Sequence, residues 1–130
     1  MGAHQRNKGK AGEREIVRML RDRGFHAYRG APAQAASSSC LADVEVDATI
    51  AGVRPWLEIK RGKSPRIMAA FRQATADAEA YPWPREPVAI TRADRGQWMI
   101  TMRLSTALDA GLLQSMRGLE LEQEEQPCEQ

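Results

Sequence analysis

Residues 43–60 constrain the fold more than any other part of the sequence, because their polar and apolar residues alternate as they do in β-strands. Two such runs, residues 43–50 and 55–60, flank a turn around Gly52. The pattern therefore predicts an antiparallel hairpin with one apolar face and one polar face. The apolar face is formed by Val44, Val46, Ala48, Ile50, Leu57 and Ile59.

The polar face of this hairpin carries side chains suited to chemistry on a phosphodiester. Antiparallel pairing sets Asp43 opposite the end of the second strand, so Asp43, Glu58 and Lys60 converge. Glu45 and Asp47 share the face but lie nearer the turn, where we expect them to be peripheral. Carboxylates are hard ligands for Mg²⁺ or Mn²⁺, and a neighbouring lysine can offset charge on an attacked phosphate. Hairpins also carry this spacing by chance, as ion pairs on a solvated face.

The first helix is predicted over residues 8–23, because Ile16, Val17 and Leu20 recur at helical spacing. Glu13 projects onto the same apolar side of that helix. A carboxylate that faces a core is costly unless something pairs with it, which indicates a functional role. An acid in the first turn that is favoured by the helix dipole is the alternative interpretation.

The same helix presents a basic stripe next to Glu13. Arg14, Arg18 and Arg21 share one side of the helix. Glu15 lies well around the helix, and we expect it to be an ordinary solvated side chain.

The remaining periodicities predict an α/β fold, a small mixed central sheet with helices packed on it. The predicted elements are a strand at 25–29, an uncharged loop at 30–40, a helix at 65–81, a hairpin of strands at 87–92 and 97–102, and a short helix at 105–115. Residues 1–117 are predicted to form one domain, and residues 118–130 an acidic, disordered tail.

The charge distribution favours a nucleic-acid partner, although the formal net charge is only +2. Residues 1–30 hold eight Lys or Arg against three Asp or Glu, and residues 61–103 hold eight against four. A basic body around a small carboxylate cluster suits a polyanion held by its phosphates. Solvated faces of an ordinary protein can give the same distribution.

Several other classes of protein are excluded by the sequence. It contains no run of about 18 apolar residues and no apolar segment of a signal peptide, so we expect a soluble, cytoplasmic protein of a bacterial or phage-infected cell. Cys40 and Cys128 lack the spacing of a zinc site or of a disulfide framework.

The order of these motifs resembles the PD-(D/E)xK nuclease superfamily: K-G-x-x-x-E-R-E on a helix, then Asp43, then Glu58-x-Lys60. More narrowly, K-G-K-A-G-E-R-E-I-V-R-M-L-R-D-R-G-F is similar to the opening of the Holliday junction resolvases of archaea and their phage-type relatives. The resemblance runs from about Asn7 to Met102. Ala42 stands where the superfamily name has proline, a residue that ligates nothing.

The resemblance implies a restriction-endonuclease-like core and a role for each matching residue. It implies that Glu13, Asp43 and Glu58 bind a metal ion, with the backbone carbonyl of Ile59, and that Lys60 is the catalytic lysine. Arg14 and Arg29 match basic residues that such resolvases use on DNA. The full set of candidate DNA contacts is Lys8, Lys10, Arg14, Arg18, Arg29, Arg61 and Lys63.

The predicted function is therefore a Mg²⁺-dependent endonuclease that resolves four-way DNA junctions by paired phosphodiester hydrolysis, with Mn²⁺ able to substitute. Two symmetric cuts suit a homodimer. Recombination, repair and phage DNA maturation would all use such an enzyme. The alternatives are a nicking or restriction-like nuclease of the same superfamily and a non-catalytic DNA-binding protein. An RNA-binding module is disfavoured, because the aromatic-rich sheet motifs of common RNA binders are missing.

Overall fold

The computed structural model describes the backbone of residues 3–30 and 41–117, and the side chains within those ranges from residue 8 onward. The predicted loop at 30–40, apart from Gly30, and the predicted acidic tail at 118–130 lie outside the described residues. Both cysteines lie outside them as well.

Eight elements form one mixed sheet with helices on its faces, which confirms the predicted α/β fold. The elements are α1 (Ala3–Asp22), β1 (Ala27–Arg29), β2 (Val44–Val46), β3 (Pro55–Gly62), α2 (Ile67–Ala80), β4 (Glu86–Ala93), β5 (Met99–Thr101) and α3 (Leu104–Asp109).

The strands lie in the order β1-β2-β3-β4-β5. Strands β3 and β4 are parallel, and every other neighbouring pair is antiparallel. A parallel pair needs a crossover connection, which α2 supplies. The predicted hairpins, β2 with β3 and β4 with β5, are both present.

Helix α1 begins at Ala3, five residues before its predicted start. Two other boundaries differ from the predicted ones for local reasons. Strand β2 ends at Val46 rather than near residue 50, because beyond it only Ile50 and Val53 form a bridge. Ala51 and Gly52 adopt positive φ in this turn. The last helix ends at Asp109 rather than Ser115, because Gly111 has a φ of 85°, the conformation that stops a helix.

The sheet packs a helix on each face. On one face, Ile16 and Val17 of α1 pack against a cluster that includes Val44, Leu57 and Ile59. On the other face, α2 packs on the sheet through small side chains. The cluster there contains Ala42, Trp56, Ala74 and Ala78, with Tyr81 beside it. Within the described ranges, no helix is both long and apolar enough to cross a membrane.

Candidate active site

The register of the β2–β3 hairpin places Asp43 next to Glu58, as the alternation predicts. Val44 pairs with Leu57 in an antiparallel arrangement, so Asp43 lies opposite Glu58. The amide N–H of Ile59 donates a hydrogen bond to Asp43 Oδ2 at 3.0 Å. The backbone of β3 therefore orients the aspartate directly.

Lys60 lies on the same face of β3, two residues beyond Glu58. Its Nζ is 3.2 Å from Glu58 Oε1. The Lys60 side chain is 51% exposed whereas that of Glu58 is only 8% exposed, so the ammonium group lies at the mouth of the site. Asp43, Glu58 and Lys60 are thus brought together, as predicted.

The two carboxyl groups at this site resist ionisation. Burial, followed by the charge of Asp43, raises the pKa of Glu58 from 4.5 to about 7, and Lys60 opposes the rise. Burial also raises the pKa of Asp43, against the hydrogen bond from Ile59. Because both pKa values stay raised despite Lys60, a cation bound between these carboxyl groups would stabilise their ionised forms.

Glu13 approaches Asp43 from α1, on the opposite face of the sheet from α2. Burial, and next the charge of Asp43, raise the pKa of Glu13. Arg29 opposes this rise, since its Nε donates to Glu13 Oε2 at 3.0 Å. Glu13 therefore lies on the apolar side of the helix, as predicted, and its carboxylate is paired with the Arg29 guanidinium. This pairing lowers the cost of its burial.

Two carboxylates, those of Asp43 and Glu58, fit a hard divalent cation. Among the described residues, no group of three or more His, Cys, Asp or Glu side chains is arranged to hold a metal ion. Mg²⁺ commonly binds through one or two carboxylates and keeps several waters, and Asp43 with Glu58 meets that need. Glu13 pairs with Arg29, and its part as a third ligand stays a prediction. The carbonyl of Ile59 stays a predicted ligand.

Helix α2 brings in two residues that the sequence pattern did not single out. The charge of Asp77 adds to the rise in the pKa of both Asp43 and Glu58. Gln73 Nε2 lies 3.0 Å from each carboxylate oxygen of Asp77. Their spacing of four residues was a usable signal, because such residues are neighbours on one side of a helix.

Two acids have different surroundings from those predicted. Glu45 was expected at the periphery, yet its side chain is 1% exposed and accepts two hydrogen bonds from buried Arg85. Glu15 was expected to be solvated, but it accepts hydrogen bonds from Arg61, Arg92 and Trp98. Both errors arose because the basic partners come from distant parts of the chain.

The basic residues predicted to contact DNA fall into three groups. Arg14, Arg18 and Arg29 line one groove of about 470 Å³, together with Arg21. Lys10 and Lys63 are exposed. The others already have acidic partners: Lys8 pairs with Asp94 at 2.7 Å, and Arg61 with Glu15 at 3.3 Å.

This sheet, with an aspartate next to a Glu-x-Lys strand and a glutamate on the first helix, places the chain among nucleases of the PD-(D/E)xK type. The family model of the archaeal Holliday junction resolvases (Hjc) matches residues 4–79. The chain belongs to that family, which confirms the predicted class of junction-resolving nuclease with a role in DNA recombination and repair. The alternative functions gain no support.

One solved structure with a similar fold is Hjc from Archaeoglobus fulgidus, described as a Holliday junction resolvase from an archaeal hyperthermophile. The two chains are 19% identical, the match covers 69% of this chain and 72% of that one, and the TM-score is 0.49. The search of curated proteins found no match.

Proposed function

We propose that the chain is a Mg²⁺-dependent endonuclease that cuts four-way DNA junctions. Its active site would be formed by Asp43, Glu58 and Lys60. The observation that carries the proposal is the juxtaposition of the carboxyl groups of Asp43 and buried Glu58, with Lys60 Nζ 3.2 Å from Glu58 Oε1. The nuclease domain is assigned to residues 1–117, with residues 118–130 as an acidic tail.

Asp43 and Glu58 would hold the cation, and Ile59 would keep Asp43 in place through its N–H. A bound Mg²⁺ supplies Lewis acidity, which polarises the phosphate and lowers the pKa of a bound water. Lys60 can swing from Glu58 to a phosphate oxygen, because its flexible stem is half exposed. There the ammonium group would offset the charge that develops on the phosphoryl oxygens.

Glu13 and Arg29 would act as a coupled pair at the edge of the site. Arg29 also lines the groove beside Arg14 and Arg18, so a DNA phosphate there is a competing acceptor for its guanidinium. A phosphate that draws Arg29 away would leave the Glu13 carboxylate free to accept a hydrogen bond from water near Asp43.

A homodimer would place two such sites on one junction. An apolar surface between residues 99 and 116 supports this proposal. Strand β5 is the edge of the sheet, and Leu104 and Leu113 are 67% and 74% exposed. Exposed large apolar residues in this segment are Met99, Ile100, Leu104, Leu108, Leu112, Leu113 and Met116.

The size of this surface favours a second copy of the chain as the occupant. Monomers rarely expose contiguous apolar patches above a few hundred Å². A stable interface takes about 800 Å² from each partner, and these exposed side chains would contribute the apolar part of it. Because a four-way junction needs two equivalent cuts, a two-fold dimer matches the substrate's symmetry.

Replacing Asp43 with Asn tests the assigned chemistry. The variant keeps the size of the side chain and removes its charge, so we expect unchanged junction binding and at least a 100-fold loss of cleavage with Mg²⁺. Asp109→Asn, an exposed change on α3, is the matched control.

The substrate is tested by comparing a four-way junction, a nicked duplex and a plain duplex at equal Mg²⁺. Preferential, paired cutting of the junction supports resolution. Equal cutting of the plain duplex would indicate a restriction-like nuclease. A parent protein that binds junctions but never cuts them would refute the proposal.

A further inference from the structure

A cleft of about 370 Å³ lies directly beside Lys60, on the flank of the site that faces α2. Its volume is within the range of small-ligand sites. The cleft runs from the end of β3 along the first turns of α2. It is lined by Lys60, Arg61, Pro65, Arg66, Ala69, Ala70 and Gln73.

The cations around this cleft differ in whether they are already engaged. Arg61 directs its Nη1 toward Glu15, and Lys60 pairs with Glu58. Arg66 is exposed, and its guanidinium has no hydrogen bond or ion pair with any residue that the structure describes. Arg66 is thus the cation at this cleft with its donors available.

Gln73 lines the cleft and also contacts Asp77. Its amide nitrogen is held by both oxygens of Asp77, whose charge acts on Asp43 and Glu58. This contact occupies at least one of the two N–H donors of Gln73. Lys60, Arg61 and Arg66 line the cleft and no carboxylate does, which leaves the cleft suited to an anion.

We propose that this cleft binds the DNA phosphate next to the scissile one, with Arg66 as its hydrogen-bond donor. The proposal rests on the proposed function, because Lys60 is assigned there to the scissile phosphate. A guanidinium can hold two phosphate oxygens at once, which fixes direction as well as position. The small side chains of Ala69 and Ala70 leave room for the sugar-phosphate chain.

Arg66→Ala tests this assignment in the full-length protein, with Arg72→Ala as the matched control on an exposed part of α2. Junction binding is measured in EDTA over a range of salt concentrations. Loss of one phosphate contact should weaken binding about 5-fold or more and reduce the slope of log K against log salt by about 1. Arg72→Ala should stay within about 2-fold of the parent.

Ala69→Leu provides a second variant that keeps every charge. Leucine is a good helix former and Ala69 is exposed, so the fold should be retained while the cleft is filled. We expect the same loss of affinity as for Arg66→Ala. Arg66→Lys should restore part of the affinity, since it keeps the charge without the planar fork.

Junctions that each carry one neutral methylphosphonate identify the phosphate. A methylphosphonate at one position beside the cut should weaken binding by the parent. It should not weaken binding by Arg66→Ala any further, because that variant has already lost the contact. If Arg66→Ala binds with parental affinity and slope, or if every methylphosphonate weakens both proteins equally, the cleft assignment is wrong. These binding results decide the cleft even for a parent that fails to cleave, which is the separate failure of the proposed function.

Discussion

Glu58 is the residue whose environment departs most from that of an exposed carboxylate. It is buried beside Asp43, and its pKa is raised to about 7 by burial and by that neighbour's charge. The folded chain therefore holds a proton on Glu58 more tightly than the unfolded chain does. The stability contributed by this proton is present below pH 4.5 and is lost as the pH rises through 7.

Glu58→Gln should consequently stabilise the metal-free protein at pH 8 and have little effect near pH 5. The shift corresponds to at most about 3 kcal/mol at pH 8. Thermal unfolding in EDTA at the two pH values measures it. A stability difference that does not change between pH 5 and pH 8 would show that Glu58 titrates normally.

Arg85 and Glu45 form an ion pair whose side chains are 2% and 1% exposed. The guanidinium also lies over the rings of Trp56 and Tyr81, and donates to the carbonyl of Pro55. Arg54, whose Nη2 is 3.9 Å from Glu45 Oε2, is a second but more distant cation, so most of the compensation for each buried charge comes from its partner in the pair.

Arg85→Met should destabilise the fold by about 3–5 kcal/mol, because it leaves Glu45 charged and buried. The double variant Glu45→Leu/Arg85→Met should recover much of this loss, since apolar residues can replace a buried pair. Urea unfolding of the parent, both single variants and the double variant gives the comparison. If the loss of unfolding free energy in the double variant equals the sum of the losses from the two single changes, the two side chains are not coupled.

At the scale of elements, the position of α2 depends on a stripe of alanines. Ala70, Ala74 and Ala78 are buried against the sheet, and Ala74 is 0% exposed. Small side chains let the helix lie close to β3, which places Gln73 and Asp77 next to the acids. Helical spacing predicts an apolar stripe of Ile67, Phe71, Ala74 and Ala78 on this helix, but Ile67 is 44% exposed and Ala70 is buried instead.

Ala74→Leu should overpack this interface and destabilise the protein by about 1–3 kcal/mol. Ala76→Leu adds the same atoms on an exposed position of α2, so its effect should be within about 0.5 kcal/mol. Calorimetric unfolding distinguishes them. Equal stability of the two variants would mean that α2 does not depend on close contact through Ala74.

At the scale of the whole molecule, the apolar surface between residues 99 and 116 should determine the oligomeric state. Leu104→Glu with Leu108→Glu introduces charge into that surface and should convert a dimer to monomers, as measured by light scattering. On a cruciform plasmid the variant should release nicked circles instead of linear product, because the two cuts are no longer paired. Met19→Glu, an exposed apolar position on α1, is the control. A parent that is already monomeric would refute the dimer.

The local pattern determined the elements and the identity of the central residues. Alternation in residues 43–60 gave the hairpin and its faces, because a strand has a period of two whatever surrounds it. Helical spacing placed Glu13 on the apolar side of α1 for the same kind of reason. The motif around Glu13 then indicated a junction resolvase among the metal-dependent nucleases, and the match to the resolvase family agrees with that prediction.

Tertiary structure decided which charges meet, since pairing across the chain has no local period. Arg85 is forty residues from Glu45, and Arg92 and Trp98 reach Glu15 from β4 and from the turn before β5. The same packing brought Asp77 to the acids and left Arg66 beside Lys60. The sequence by itself determined which residues lie on each face of each element. The packing of the helices on the sheet decided which partner each charged side chain has. A buried charge is shielded from water, so it can interact only with the groups packed around it.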